Sequence, residues 1–419
     1  MPTTTVRVVV VGGSIGGLAC AHALLKAGFE VTVLERASHI ASAGAGLGLD
    51  RHACDILRSF GLAQQLEENS LPMDIEIHEA VVNGRRQEVF RDDHYNHRST
   101  HWSDIHNMLM EPLPEGLLLL GHTVTGFEQL GGSKRVRVTA VVNATKEQKS
   151  YECDVMVAAD GSMSDTRAKL VPGASRRYSG YCAWRGVLSA AEDLSPAEQE
   201  TVSRVRAAYP GLGHTLYFEL AQQTHAVLYE LPRQRLNWLW YVNQPEPKLT
   251  GHSVTVRADE AAIHRMHQNA EQTWTPELAQ LMRETSAPFV NAIFDREPLS
   301  QFVWGRAVLV GEAAHPTTPH GLRSTNMAIA DAGELERCFT AHKDDLDAAL
   351  AEFNKARVSE TAKEVLYSRY LGQLKQGLLP GLDDIDWTKA PEAVRQELGS
   401  NRLAAFDLAA YGPGSSDQL

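Results

Sequence analysis

Three short, unbroken apolar runs stand out along the chain, and each ends in glycine or an acid. Val6–Val11 runs into Gly12-Gly13, Asp154–Ala159 into Asp160-Gly161, and Ala307–Val310 into Gly311-Glu312. Continuous runs of this kind predict strands buried on both faces, as in parallel sheets. A helical pattern over about Gly16–Ala27 separates the first run from a strand at Glu30–Leu34, so the chain opens with a βαβ unit. Elsewhere the pattern changes. Met73–Phe90 alternates around the hairpin signal Asn83-Gly84, and Tyr178–Val187, Leu216–Leu231 and Leu236–Asn243 read as strands rich in Tyr and Trp. These predict a second sheet inserted into the first domain. Ala261–Thr285 and Gly333–Tyr370 are helical by periodicity.

The expected fold is therefore α/β. A Rossmann-like domain is built from residues 1–72, 99–177 and 301–375. An interleaved, mostly antiparallel substrate sheet comes from 73–98 and 178–300, and a C-terminal helical segment with a frayed tail from 376–419. Composition adds limits. A net charge of −12 argues against nucleic-acid binding, which needs a basic face. No apolar stretch approaches the roughly 20 residues of a membrane helix. The five cysteines (Cys20, Cys54, Cys153, Cys182 and Cys338) have no metal-ligand spacing and read as reduced, buried thiols. No metal and no stable membrane insertion are expected, and the location is expected to be cytoplasmic.

The candidate chemistry begins at the first turn. Gly12-Gly13-Ser14-Ile15-Gly16-Gly17 follows a strand and opens a helix, whose N-terminus offers amides and partial positive charge to a pyrophosphate. Gly12 allows the sharp turn, and Gly17 lets helix and strand pack closely. Glu35 ends the second strand, where a carboxylate accepts ribose hydroxyls, which speaks for FAD or NAD over a 2′-phosphorylated nucleotide. Ser14 stands where the usual second glycine would be. A plain NAD enzyme needs nothing further, but this chain has two more fingerprints. Asp160-Gly161-Ser162-Met163-Ser164-Asp165-Thr166-Arg167 begins 148 residues past Gly12, and Gly311-Glu312-Ala313-Ala314-His315-Pro316 begins 151 residues past Asp160.

These three motifs resemble those of the single-component FAD-dependent aromatic hydroxylases, the para-hydroxybenzoate hydroxylase group: GxGxxG, DGxxSxxR and GDAAHPxxPxxGxGxNxxxxDA. The second is intact as Asp160, Gly161, Ser164 and Arg167. The third is present as Gly311, Ala313, Ala314, His315, Pro316, Pro319, Asn326, Asp331 and Ala332. The glycine turn and Tyr178–Gly186 are most similar to the 2,6-dihydroxypyridine hydroxylase branch, and the latter also to FAD-dependent urate hydroxylases. The resemblance implies an FAD site formed by Gly12, Ser14, Ile15, Gly16, Gly17, Glu35, Arg36, Gly46, Trp102, Asp160, Gly161, Arg167, Gly311, Glu312, Pro319, Leu322, Arg323, Ser324, Thr325 and Asn326. It also implies transient NAD(P)H, O2, a flavin C4a-hydroperoxide and hydroxylation of a small aromatic or N-heterocyclic substrate, with a homodimer as the expected assembly.

This chain departs from the family at Glu312, where aspartate is usual, at Leu322-Arg323-Ser324 in place of glycine-glutamine-glycine, and at Trp102 in place of an arginine, with Arg98 as a nearby substitute. Arg185, His225 and Pro316 are the candidate catalytic residues. Tyr181, Trp184, Tyr217, Tyr229, Trp238 and Trp240 are the candidate pocket lining, with Tyr181–Arg185 and Trp238–Trp240 each sharing a face. Competing readings are a flavin halogenase, from the faint signature in Asn237–Val242, a dehydrogenase or reductase of the same superfamily, and a non-catalytic FAD-binding protein.

Overall fold

The computed structural model describes residues 5–40, 44–131, 134–189, 194–249, 253–256 and 258–411. Gly46, expected at the FAD site, lies within the described residues, and the tail beyond Tyr411 lies outside them. Arg7–Val11 is central in a six-stranded sheet, flanked by Glu30–Leu34 and Val155–Ala158, with Ala307–Leu309 next outward. All these pairs are parallel, and the edge strand Val303–Trp304 alone runs antiparallel. The three apolar runs therefore lie side by side, and their glycine-bearing ends share one edge of the sheet. In open α/β sheets that edge is where ligands bind. Helices Ile15–Lys26 and Arg323–Ala341 cover the sheet.

The second sheet has eight strands, in the order Thr255–Val256, Phe289–Asp295, Arg177–Ser189, Arg235–Asn243, Thr224–Leu231, Thr215–Ala221, Ile75–Val82 and Arg85–Asp92. Every pair is antiparallel except Thr215–Ala221 with Ile75–Val82. The hairpin at Asn83-Gly84 forms as expected, with both residues in the left-handed region (φ 51° and 69°). A three-stranded meander, His122–Leu130, Arg135–Val142 and Gln148–Cys153, and a small sheet of Gly46–Leu49, His97–His101 and Leu71–Met73 complete the β structure. Helix Leu346–Lys375 runs along the molecule. After it come turns, a helix at Glu392–Gln396 and a 3₁₀ turn at Leu403–Ala405. Pro380, Gly381 and Pro391 interrupt longer helices there. All five cysteines are free and buried.

The large sheet is covered on both faces. Helices Pro196–Ala208, Glu260–Thr273 and Pro276–Glu284 pack on one face with Tyr217, Trp238 and Trp240. On this face Glu219 is buried, accepting from the Tyr209 and Thr275 hydroxyls with Arg86 at 3.9 Å. Burial pushes its carboxyl up to about 7, against the pull of Tyr209 and Arg86. A raised folded-state value means that the folded chain holds a proton the unfolded chain has lost. The stability this adds is present below the ordinary carboxylate value and is lost as pH rises toward 7. Glu219→Gln is therefore expected to gain stability relative to the parent between pH 5 and 8. The difference in urea midpoint checks this, and a constant difference across that range refutes it.

Candidate active site

A cavity of about 410 Å³ opens between the two sheets, and a second of about 280 Å³ lies beside the glycine turn. Both are lined by Ser14, Ala159, Gly161 and Met163, so they form one elongated cleft across the strand ends. The turn is shaped for close approach. Gly12 has φ 104°, and a Cβ there would lie 2.4 Å from the Ala159 carbonyl oxygen; one on Gly17 would lie 1.9 Å from that of Gly12. Ser14 precedes helix Ile15–Lys26, but its side chain makes no capping bond. The first-turn amides thus face the cleft without a side-chain partner. Glu35 lines the smaller cavity. Its two oxygens accept from the Gly13 and Ala37 amides at 2.7 and 2.8 Å, which orients the carboxylate and leaves acceptor capacity for ribose. Arg36 lines the same cavity.

The second motif divides its labour. Gly161 (φ 80°) borders both cavities. Asp160 accepts from Ser164 Oγ at 2.6 Å and the Thr166 amide at 3.1 Å, which fixes the turn. Arg167 reaches neither cavity. It is 1% exposed and donates to the carbonyls of Ser162, Glu312 and Ala313 at 2.6–2.9 Å. Burial lowers its pKa to about 10. It ties the second motif to the third rather than contacting a ligand.

In the third motif two departures answer each other. Ser324 Oγ donates to Glu312 Oε1 at 2.8 Å, so the longer carboxylate is held by the serine that replaces glycine. Both line the larger cavity, as do Gly311, Pro316, Pro319 and Thr325. Arg323 turns its guanidinium into the C-terminal segment, donating to the Ser400 carbonyl at 2.7 Å with Glu364 at 3.4 Å. Arg323 and Ser400 both line the larger cavity, so the guanidinium is held by these partners at the cavity wall. Asn326 bonds the Gly48 and Leu322 carbonyls and the Asp50 amide instead of lining the cavity. Trp102 lines the cavity and stacks on His106. Arg98 does not stand in for the missing arginine, because it is held by Ser70 and Glu67.

Leu322 takes a left-handed backbone (φ 55°), which a side chain disfavours, and leans on Gly48. A Cβ on Gly48 would lie 2.1 Å from Leu322 Cδ1. Gly48→Ala is therefore expected to cost about 1–3 kcal/mol by overpacking. In a Leu322→Gly background the same change is expected to cost less than half as much. A double-mutant cycle from urea unfolding checks this, and additivity refutes it.

Strand alternation decides the substrate end. Leu216 and Phe218, then His225, Val227 and Tyr229, then Leu239 and Tyr241, and Arg185 all point into the cavity. Tyr217, Trp238 and Trp240 point the other way, into the helix-covered face, where Trp238 donates to Thr285 and Trp240 to Thr224. Trp184 packs outward with them. Tyr181 shares the face of Arg185 but is buried behind the lining, its hydroxyl 3.3 Å from His320 Nδ1. Of the six aromatics singled out by sequence, Tyr229 alone reaches the cavity. With both faces of the sheet covered, tryptophan is equally at home on either, so composition gives no sign of direction. Tyr241, Phe218 and His320 line the cavity and were missed.

His225 is fully buried and stacks on Tyr241 (centroids 4.4 Å apart, 14° between planes). Burial, then the Lys375 charge, lowers its pKa to about 3, so it is neutral. Its Nδ1 lies 2.7 Å from Gln376 Oε1, while among the described residues Nε2 has no partner. Arg185 Nε likewise has none. Burial also holds His320 well below the ordinary histidine value.

Residues 5–352 match the family described as FAD binding domain. The chain belongs to that family. Among curated proteins, it is 29% identical to the aurachin C monooxygenase/isomerase of Stigmatella aurantiaca, over 89% of this chain and 90% of that protein. It is 30% identical to the 3-amino-4-hydroxybenzoate 2-monooxygenase of Streptomyces platensis, over 93% and 96%. Among solved structures, the 2,6-dihydroxypyridine-3-hydroxylase of Arthrobacter nicotinovorans superposes with a TM-score of 0.76 at 25% identity, covering 90% of this chain and 95% of that one. The protein is an FAD-dependent monooxygenase. The cleft fits FAD on its own terms: two glycines that exclude any Cβ, uncapped helix amides, an oriented carboxylate and a long groove across three strand ends.

Proposed function

We propose that this monooxygenase hydroxylates a small aromatic or N-heterocyclic compound that already carries a hydroxyl group. The observation that carries the reading is the pair of unpartnered groups in an aromatic-walled cavity: the lone nitrogen His225 Nε2 and the guanidinium edge of Arg185. In this reading Gly12, Ser14, Ile15, Gly16 and Gly17 hold the cofactor's pyrophosphate and Glu35 its ribose. Arg36 flanks that ribose, and Gly46, Trp102, Gly161, Gly311, Glu312, Pro319, Leu322, Ser324 and Thr325 border the rest. FAD, when bound, supplies the oxygen activation after reduction by NAD(P)H. The chain supplies position and charge. Phe218, Tyr229 and Tyr241 enclose a flat ring. Arg185 holds an anionic substituent or ring oxygen, and His225 accepts from the substrate hydroxyl, raising ring electron density. Pro316 gives a rigid wall with no N–H to compete. An anion beside His225 raises its basicity, since nearby negative charge favours the protonated form.

The test is an NAD(P)H-oxidation screen of the FAD-loaded protein against hydroxybenzoates, hydroxynicotinates, dihydroxypyridines and urate, with product masses. Gain of one oxygen on one compound supports the reading. Cofactor oxidation without product on every compound rejects it. A homodimer belongs to the same proposal and is read by light scattering. A cytoplasmic location is the reading that five free, buried thiols favour.

A further inference from the structure

We infer that Asn243 and Gln376 are positioning residues that lock His225 in a single tautomer, with the proton on Nδ1 and the lone pair of Nε2 facing the substrate. This rests on the placement of His225 at the substrate proposed above. Neither residue lines the cavity, and no motif of the chain includes them.

The chain of bonds begins at a group whose polarity is fixed. Helix Leu346–Lys375 ends at Gln376, and the backbone carbonyl of Gln376 is an acceptor only. Asn243, at the end of strand Arg235–Asn243, approaches that carbonyl at 2.9 Å. Only its Nδ2 can donate there, so its Oδ1 faces the Gln376 side chain. Gln376 meets that oxygen at 2.7 Å with Nε2 as the donor, which turns its own Oε1 toward His225. Oε1 lies 2.7 Å from His225 Nδ1 and accepts from it. The proton of neutral His225 is therefore on Nδ1 and the lone pair on Nε2. Reversing either amide would set two acceptors face to face at 2.9 or 2.7 Å, which nothing nearby repays.

The surroundings keep that imidazole neutral. Lys375 is buried with its ammonium 3.7 Å from the centroid of the Phe218 ring, beyond which the cavity lies. The other titratable groups packed around His225 are His78 from the neighbouring sheet strands, Tyr241 stacked on its ring, His320 with its ring 5.2 Å away, and Arg185 within the cavity. Glu76 stands opposite Lys375. Among the described residues no carboxylate accepts from His225, so its tautomer is set by a neutral amide rather than by an acid. A carboxylate would fix the same tautomer but favour the imidazolium, which has no lone pair at Nε2.

The decisive measurement is ¹⁵N NMR of the FAD-loaded protein carrying ¹⁵N-histidine, with the His225 signals assigned by their loss in His225→Gln. The expected result is a protonated, pyrrole-type Nδ1 and an unprotonated, pyridine-type Nε2 down to about pH 5. Gln376→Met is expected to give a mixture of tautomers, and Asn243→Leu the same. Gln376→Glu is expected to keep the proton on Nδ1 while raising the pH at which His225 charges. A proton on Nε2 in the parent, or a single unchanged tautomer in both Gln376→Met and Asn243→Leu, overturns the inference. On any compound turned over in the screen, Gln376→Met is expected to lower kcat at least about tenfold, with KM within about threefold. Failure of the screen would reject the substrate reading while the NMR result still stands or falls alone.

Discussion

Replacing Asp331 by alanine is expected to destabilise the protein by about 3–5 kcal/mol, because it strands the buried guanidinium of Arg357 rather than removing a surface pair. Asp331 is fully buried on helix Arg323–Ala341. Its Oδ2 accepts from the Gly311 amide at 2.7 Å and pairs with His315 Nε2 at 2.6 Å, while Oδ1 accepts from Arg357 Nε at 2.6 Å. Burial alone would raise its pKa, but His315 and Arg357 outweigh burial and hold it below the usual carboxylate range. The stability this gives is present above the ordinary carboxylate value and is lost as pH falls through the lower folded-state value. Without the carboxylate, Arg357 loses its buried counter-ion and the Gly311 amide its acceptor. Gly311 begins the loop that borders the cofactor cleft, so FAD is expected to bind more weakly as well. Urea unfolding and FAD titration measure the two effects. Asp331→Ala with Arg357→Leu is expected to be less destabilised than the sum of the single changes, because no lone cation remains. A loss under about 1 kcal/mol in Asp331→Ala would show that the cluster is not the clamp its geometry describes.

His225→Gln is expected to leave the fold and the bound-flavin spectrum intact and to lower kcat on the true substrate by on the order of 10²-fold or more. Glutamine fills much of the same volume but offers no ring nitrogen on an imidazole stacked against Tyr241. Arg185→Met is the companion variant. It is expected to raise KM more than it lowers kcat, because holding an anion helps ground state and transition state alike. Stopped-flow reduction and steady-state rates separate the two. Activity within about threefold of the parent in His225→Gln would remove His225 from the chemistry.

Much of the cofactor site was legible in sequence. A glycine loop after an apolar strand, an acid at the end of the next strand and two later strand ends bearing DG and GEAAHP needed no coordinates, because local backbone geometry demands those residues. The meaning of the departures was not legible. Ser324 and Glu312 read as two separate oddities until the chain placed one oxygen 2.8 Å from the other. Arg323 read only as a departure from the motif, and its partners Ser400 and Glu364, far along the chain, came from the structure. Arg167 carries the motif but reaches carbonyls instead of a ligand.

The substrate end was harder, for a definite reason. On a sheet with one wet face, alternation reveals the direction of each side chain. Here helices cover one face and the cleft-facing core covers the other, so Trp238 and Tyr241 look alike in sequence yet point apart. Sequence by itself determined the βαβ start and the three cofactor fingerprints, because these rest on short-range turn and strand chemistry. Only the tertiary structure decided which face of the second sheet meets the cofactor cleft, and that residues 243 and 376 converge on His225. Those facts depend on packing between segments more than a hundred residues apart, which no local pattern records.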